Sequence, residues 1–589
     1  MNKDNVTGKI KFIHTILVIL FIVSIVFSLR WQVAEASKFV EYAKGRAATF
    51  ELKSYRGTIY SSDGSTMAYS EPSFDIYIYM DDLVIAETRG NQTRAELLEK
   101  FSIALNIPQN EISGKIDTYV QNKIRWIPIA KNVTFETYQK IKDLRKTADE
   151  NQKLSGWDYI LTSKRYYPEG RLASHVVGLT NKKEEELYGV GGIEEYYNGV
   201  LNPQNGFLQS ERDAIGQTIT AALLPTIEPK NGSSIYLTLD KKLQQKVEAR
   251  IKAGVEQYQA ISGMVVIIDP KTGAIKALAN YPDYDPNDRR EGEFGNSAIT
   301  RPYEAGSIGK IITLASAIDQ KLITPETILQ PEGHNGCEEI SKDLAPLCTW
   351  DRKPQPPLAA VDCFNKSDNI CFYHISKLMS KESFYNYLSG FGVGKASGID
   401  LGAGDSYGIL KKPEEWNLGD VAAYAYGHGY QVNAVQAVEY VGALANRGVR
   451  VRPRIVDKIV DADGNVQEYK PVVVERVITK DTADVMDYMM GLNYQKSLVS
   501  YEHYTPAISN YNLGVKSGTA LVVENGAYSN NINASFVGYD MSEQRTFAMI
   551  VMLEKPQIPA GDLLAFYNVR PLWLEMFNDV KDILGVPQK

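Results

Sequence analysis

One uninterrupted apolar run near the start of the chain limits what the rest can be. From Phe12 to Leu29 the sequence reads FIHTILVILFIVSIVFSL, with His14 its only residue able to carry charge. At about 1.5 Å rise per residue such a run spans most of a hydrocarbon layer roughly 30 Å thick. Lys3, Lys9 and Lys11 precede it and Arg30 follows. The basic residues on the N-terminal side predict a cytoplasmic tail over 1–11, a transmembrane anchor over 12–29 and everything later outside the cytoplasm. Ala34-Glu35-Ala36 resembles a small-x-small cleavage site, so a cleaved signal peptide is the rival reading. The run is longer than the usual h-region of about 7–15 residues, which favours an uncleaved anchor. Both readings export the bulk of the protein.

The exported part is too long for one core, so 589 residues imply at least two domains. A net charge of -7 gives no support for a nucleic-acid partner. All four cysteines, Cys337, Cys348, Cys363 and Cys371, fall in the exported part, where disulfides are permitted. Cys337 with Cys348 closes a short loop and is the preferred pair; Cys363 and Cys371 can join only across a turn. The spacing lacks a C-x-x-C pair and a well-placed His, so no metal site is expected.

Residues 30–228 mix β-like runs, such as FDIYIYM at Phe74–Met80, with surface helices expected over 94–104 and 134–153. Gly189, Gly191 and Gly192 mark a turn that opens a helix. Near residue 228 the character changes. A turn leads to a strand at 234–239 and a helix capped by Asp240. Two apolar strands then flank the turn Asp269-Pro270-Lys271-Thr272-Gly273. Residues 229–589 are expected to form one α/β domain, an antiparallel sheet flanked by helices, above an α+β pedestal.

Three short motifs lie in that large domain. In YEAGSIGKIITLASAIDQ, apolar residues predict a buried helix starting near Ser307. Spacing of three puts the Ser307 hydroxyl and Lys310 amine on one face. A lysine desolvated there has a lowered pKa and can take the serine proton. Taken alone, the reading of a capping Ser beside a solvated Lys is favoured. The second motif, Ser367-Asp368-Asn369, reads either as a helix cap or as a hydroxyl and an amide that relay a proton and hold a peptide carbonyl. The third, Lys516-Ser517-Gly518-Thr519, lies on a β-like run, where Gly518 would let a ligand strand approach the backbone. Its plain reading is an exposed edge-strand lysine.

Together, Ser-x-x-Lys, Ser-Asp-Asn and Lys-Ser-Gly-Thr are a set known from penicillin-binding proteins and class A β-lactamases. The chain resembles a class B, monofunctional penicillin-binding protein over nearly its whole length. VVIIDPKTGAIKALANYPDYDPN and YGHGYQVNAVQAVEYVGALANRGVRVRP resemble landmarks of the catalytic domain; YRGTIYSSDGSTMA and VGGIEEYYNGVL resemble the pedestal. Departures mark a divergent member: Ser61-Ser62-Asp63-Gly64 where Asp-Arg-Asn-Gly is usual, Ala305 for proline, and Gly309 for a bulky residue. The glycine costs roughly 1 kcal/mol of helix stability.

The resemblance implies a peptidoglycan D,D-transpeptidase working through a serine acyl-enzyme without cofactor. Ser307 is then the nucleophile, Lys310 its base and Ser367 the proton relay. Asn369 holds the peptide, Lys516 assists the relay, and Ser517 and Thr519 bind the terminal carboxylate beside Gly518. The implied partners are stem peptides, β-lactams as covalent inhibitors, the membrane and a polytopic glycosyltransferase. His428, in a Gly-rich segment, is read as a loop residue and not as a base for Ser307. A D,D-carboxypeptidase or β-lactamase on the same domain is the alternative, though no Glu-x-x-Leu-Asn deacylating motif is present. A catalytically weak scaffold is a second. A signalling receptor is disfavoured, since only about eleven residues precede the anchor.

Overall fold

The computed structural model describes residues 3–35, 38, 47–88, 93–122, 124–144, 156–183, 186–212, 218–223, 227–288, 294–402, 404–499, 505–557 and 567–589. The apolar run forms the helix Lys3–Leu29, which continues as a π turn over Arg30–Ala34. Gly8–Val33, of mean hydropathy 2.7 and with none of its apolar window buried, is the one described helix long and apolar enough to cross a membrane. Side chains such as Phe21, 68% exposed, need an apolar solvent around them.

The chain divides into two units, Met1–Ser54 with Pro203–Asn231, and Tyr55–Asn202 with Gly232–Lys589. Besides the helix, the first contains a three-stranded antiparallel sheet in the order Ala47–Leu52, Gly206–Arg212, Thr218–Leu223.

In the second unit, the long strand Thr66–Tyr79 pairs with Trp126–Val133 on one side and Trp157–Tyr166 on the other. The helices Arg94–Leu105, Gln109–Gln121 and Phe135–Asp143 cover this sheet, burying Leu97, Phe101, Ile112 and Ile141. The expected helix over 134–153 therefore ends at Asp143; residues 145–153 lie outside the described residues. Thr93 and Glu96 form a capping box on the first of these helices, an arrangement that satisfies two orphan backbone donors. Gly191, at φ 69°, opens the short helix Gly192–Tyr196 and sets Glu194 into a wholly buried site. There Glu194 takes Arg56 Nε at 2.6 Å and Arg165 Nε at 2.7 Å.

The catalytic-type domain is built on a five-stranded antiparallel sheet in the order Ile275–Tyr281, Ser262–Ile268, Ala548–Glu554, Ala527–Asp540, Leu513–Glu524. Every residue of Ser262–Ile268 is buried. A strand covered on both faces explains why the sequence shows a continuous apolar run there and not alternation. Helices Lys241–Gln257 and Val569–Val580 share one core with one face of the sheet, and Lys310–Asp319 and Ala434–Ala445 share another with the opposite face. Asp240 caps the first, accepting from Leu243 N at 2.9 Å, as its sequence predicts. Leu513–Glu524 is the edge of the sheet.

Candidate active site

The Ser-x-x-Lys motif starts with a 3-10 turn, Gly306–Ile308, and the α-helix proper begins at Lys310, three residues later than the pattern suggests. Gly306 sits at φ 57°, and a Cβ there would lie 2.5 Å from Thr519 O. Only glycine lets the turn abut the edge strand in this way. Its N–H donates to Gly427 O at 2.8 Å. The turn thus places Ser307 against the strand that carries the third motif.

Lys310 is fully buried. Its Nζ lies 3.1 Å from Ser307 Oγ, 3.2 Å from Ser367 Oγ, 2.6 Å from Ser367 O and 2.7 Å from Asn369 Oδ1. Burial, and then the nearby Lys516 charge, hold this amine well below the ordinary lysine range, against a smaller pull from Asp368. A buried amine beside a serine hydroxyl is what proton abstraction requires. The solvated-lysine reading is excluded.

Ser367 lies between the helices Ala360–Lys366 and Asn369–Ser376, in the left-handed region at φ 55°. Asp368 caps the second helix, accepting from Cys371 N at 3.0 Å, and its other oxygen meets His334 Nε2 at 3.0 Å. The helix-cap reading of this motif is therefore correct for Asp368, while Ser367 faces both lysines. Asn369 Oδ1 accepts from Lys310, and Nδ2 donates to Cys348 O at 3.0 Å. One Nδ2 proton remains for a substrate.

Two disulfides frame this loop. Cys337–Cys348 joins directly opposed residues of a two-stranded ribbon, and Cys363–Cys371 spans the turn that holds Ser367.

Lys516 is 3% exposed, which rules out the plain edge-lysine reading. Its Nζ lies 3.0 Å from Ser367 Oγ and 3.0 Å from Ser517 O. Burial, with a smaller contribution from Lys496, lowers its pKa to about 7. Ser517 and Thr519 are half-buried on the same strand. Gly518 has a packing reason of its own. A Cβ there would meet Ser535 Oγ at 2.5 Å and Ile308 Cγ2 at 2.9 Å, so the gap admits the protein's own Gly306–Ile308 turn.

Residues 263–565, just over half of the chain, match the family described as penicillin binding protein transpeptidase domain. The chain belongs to this family. Residues 51–237 of this penicillin-binding protein match the penicillin-binding protein dimerisation domain. The chain is 27% identical over 435 residues to penicillin-binding protein PbpB of Mycolicibacterium smegmatis, covering 72% of this chain and 65% of that one. It is 28% identical to PbpB of Mycobacterium tuberculosis, covering 67% and 58%. The chain thus matches about three-fifths of the length of these relatives. Stage V sporulation protein D of Bacillus subtilis is 26% identical, over 86% of this chain and 74% of that one. The fold is also that of penicillin-binding protein 2X from Streptococcus thermophilus, with TM-score 0.72, 23% identity and coverage of 92% and 81%.

His428 makes no dyad with Ser307. Its Nδ1 pairs with Glu304 Oε2 at 3.0 Å. No sequence motif singles out Glu304, nor Tyr430, whose hydroxyl lies where a side chain at position 309 would start: a Cβ on Gly309 would be 2.1 Å from it. The unusual glycine was itself the available signal.

Proposed function

We propose that this chain is a peptidoglycan D,D-transpeptidase that cross-links stem peptides through a Ser307 ester. The observation that carries this is the placement of Lys310 Nζ within hydrogen-bond reach of both the Ser307 and Ser367 hydroxyls. Neutral Lys310 takes the Ser307 proton as Oγ attacks the carbonyl of the penultimate D-alanine. The proton passes through Ser367, steadied by Lys516, to the nitrogen of the terminal D-alanine, and the C–N bond breaks. The backbone N–H groups of Ser307 and Thr519 hold the developing oxyanion; one such donor is worth about 10²–10³ in rate. Asn369 grips the donor backbone, and Ser517 and Thr519, beside Gly518, take the terminal carboxylate. An amine of a neighbouring stem peptide then attacks the ester, gives its proton back through the relay, and releases Ser307.

The proposed organisation is a cytoplasmic tail (1–11), a membrane anchor (12–29), a pedestal (30–228) and a transpeptidase domain (229–589) outside the cytoplasm. β-Lactams, which mimic the donor, are proposed covalent inhibitors, and a polytopic glycosyltransferase a partner of anchor and pedestal. The test is intact-protein mass spectrometry after β-lactam treatment, beside Ser307→Ala. A stable adduct on the parent, absent from the variant, is expected. No adduct on folded protein with intact β-lactam would put the scaffold reading first.

A further inference from the structure

Asp368 is the one side chain of the Ser-Asp-Asn motif that the acylation chemistry leaves unused, and it is the only buried residue of the three. Its Oδ1 caps the helix Asn369–Ser376, and its Oδ2 meets His334 Nε2 at 3.0 Å. The His334 side chain is 5% exposed. Its other ring nitrogen is already taken, because Gly336 N donates to Nδ1 at 3.1 Å. A ring nitrogen that accepts carries a lone pair, so the ring proton sits on Nε2 and is donated to Asp368. The imidazole is also held from behind. His334 exchanges both backbone hydrogen bonds with Gln355, at 3.0 and 2.8 Å.

The same segment reaches the motif a second time. Cys348, joined by its disulfide to Cys337, accepts from Asn369 Nδ2 at 3.0 Å, so His334 and Cys348 grip consecutive residues, Asp368 and Asn369. Ser367 lies immediately before them at φ 55°, a left-handed conformation that a residue with a Cβ keeps only where its surroundings impose it. The Cys363–Cys371 bridge ties the backbone on either side of this turn, while the Asp368 carboxylate is oriented by its donors. Glu338, the carboxylate of the ribbon, is paired elsewhere, with His374 Nε2 at 2.8 Å and Gln330 Nε2 at 3.2 Å. Of the charges that Lys310 faces, Lys516 opposes a proton on it and Asp368 favours one. A carboxylate that also accepts the His334 N–H pulls less on that amine.

We propose that His334 is a positioning residue of the acylation machinery: its Nε2–H fixes the Asp368 carboxylate, and through it sets Ser367 and Asn369 against Lys310. This rests on the transpeptidase reading above and adds to the reaction a group from a segment that no motif marks. His334 is one residue removed from the reacting atoms and acts on them through Asp368. Its effect is geometric, on the left-handed turn at Ser367, and electrostatic, on the charge that Lys310 faces.

The test uses the full chain with His334→Asn and His334→Gln, and follows β-lactam acylation by rapid-quench mass spectrometry across the lysine titration. Glutamine carries its amide nitrogen about where imidazole carries Nε2, so it can still donate to Asp368. Asparagine reaches only the place of Nδ1, the atom that serves the Gly336 turn. His334→Asn should move the inflection of the acylation rate upward by about one pH unit or more, the effect of a less balanced opposite charge on an amine. Below that inflection the reaction should be about tenfold slower for each unit moved. His334→Gln should restore the parent inflection and most of the rate. An inflection that stays at the parent value in folded His334→Asn overturns the proposal, as does a folded His334→Gln that is as slow as the asparagine variant. Where His334→Asn fails to fold, His334→Gln decides alone: parent-like rate and inflection uphold the Asp368 contact, and loss of either overturns it. A parent that forms no adduct overturns the transpeptidase reading, and the positioning role with it.

Discussion

Lys310 and Lys516 meet at one oxygen: the Ser367 hydroxyl lies 3.2 Å from the first amine and 3.0 Å from the second. Burial holds both amines below their ordinary range, and the Lys516 charge adds to this at Lys310 and the Lys496 charge at Lys516. The proposed mechanism needs Lys310 neutral, so the rate constant for β-lactam acylation should rise with pH and level off well below the ordinary lysine value of about 10.4. Lys310→Arg, permanently charged, should lower that rate by about 10²–10⁴. Rapid-quench mass spectrometry across pH 5–10 checks both; an inflection at the ordinary lysine value would contradict the assignment.

Lys516 makes a separate prediction about stability. Its folded pKa of about 7 is below its ordinary value of 10.5, so between these limits the unfolded chain binds a proton that the folded chain lacks. Stability from this group therefore rises with pH through that window and is lowest at and below its bottom. Lys516→Met removes the slope. Its gain over the parent should be a few kcal/mol near pH 7, at about 1.4 kcal/mol per pH unit, and vanish near pH 10.5, as read from urea midpoints.

Gly309→Ala should destabilise despite alanine's better helix propensity. The new methyl would lie 2.1 Å from Tyr430 Oη and 2.8 Å from Gly427 Cα, and overpacking of this kind costs about 1–3 kcal/mol. The Tyr430 hydroxyl is buried without a hydrogen-bond partner among the described residues, so Tyr430→Phe in the parent should be neutral or stabilising. In the double variant it should recover part of the loss. Thermal melting of the four proteins measures the coupling.

Glu194→Ala leaves Arg56 and Arg165 facing each other in a buried site without their shared carboxylate. A loss of about 3–5 kcal/mol is expected from breaking such a pair, by chemical denaturation. Burial alone would raise the Glu194 pKa, but the Arg165 and Arg56 charges outweigh it and lower the value. The stability this group contributes is present above its ordinary carboxylate range and lost as pH falls through the lowered folded value, so the parent–variant difference should shrink only in strong acid.

Much of the site was legible because its residues are close in sequence to features with local rules. Ser307 and Lys310 follow helical spacing, Asp368 follows capping preference, and Lys516 lies on an apolar β-like run. What local rules miss is set by contacts between distant segments. Glu304 and Tyr528 are 224 residues apart yet hydrogen-bonded, and Gly518 serves a turn more than two hundred residues upstream. The commitment of Asn369 to a backbone carbonyl of Cys348 depends on a ribbon that two-residue strands form, too short for any periodicity. The apolar strand Ser262–Ile268 was readable as a strand, but its burial on both faces follows only from the layers around it.

The open edge at Leu513–Glu524 has a cost of its own. A strand of twelve residues with one open edge can also pair with the same edge of another copy, and natural sheets guard against this with charges turned inward on the edge. Lys516 is such a charge, buried within the strand that would have to pair. The amine proposed to steady the proton relay is therefore also a defence against self-association. Its replacement by an apolar residue would be felt in the solubility of the protein as well as in its chemistry.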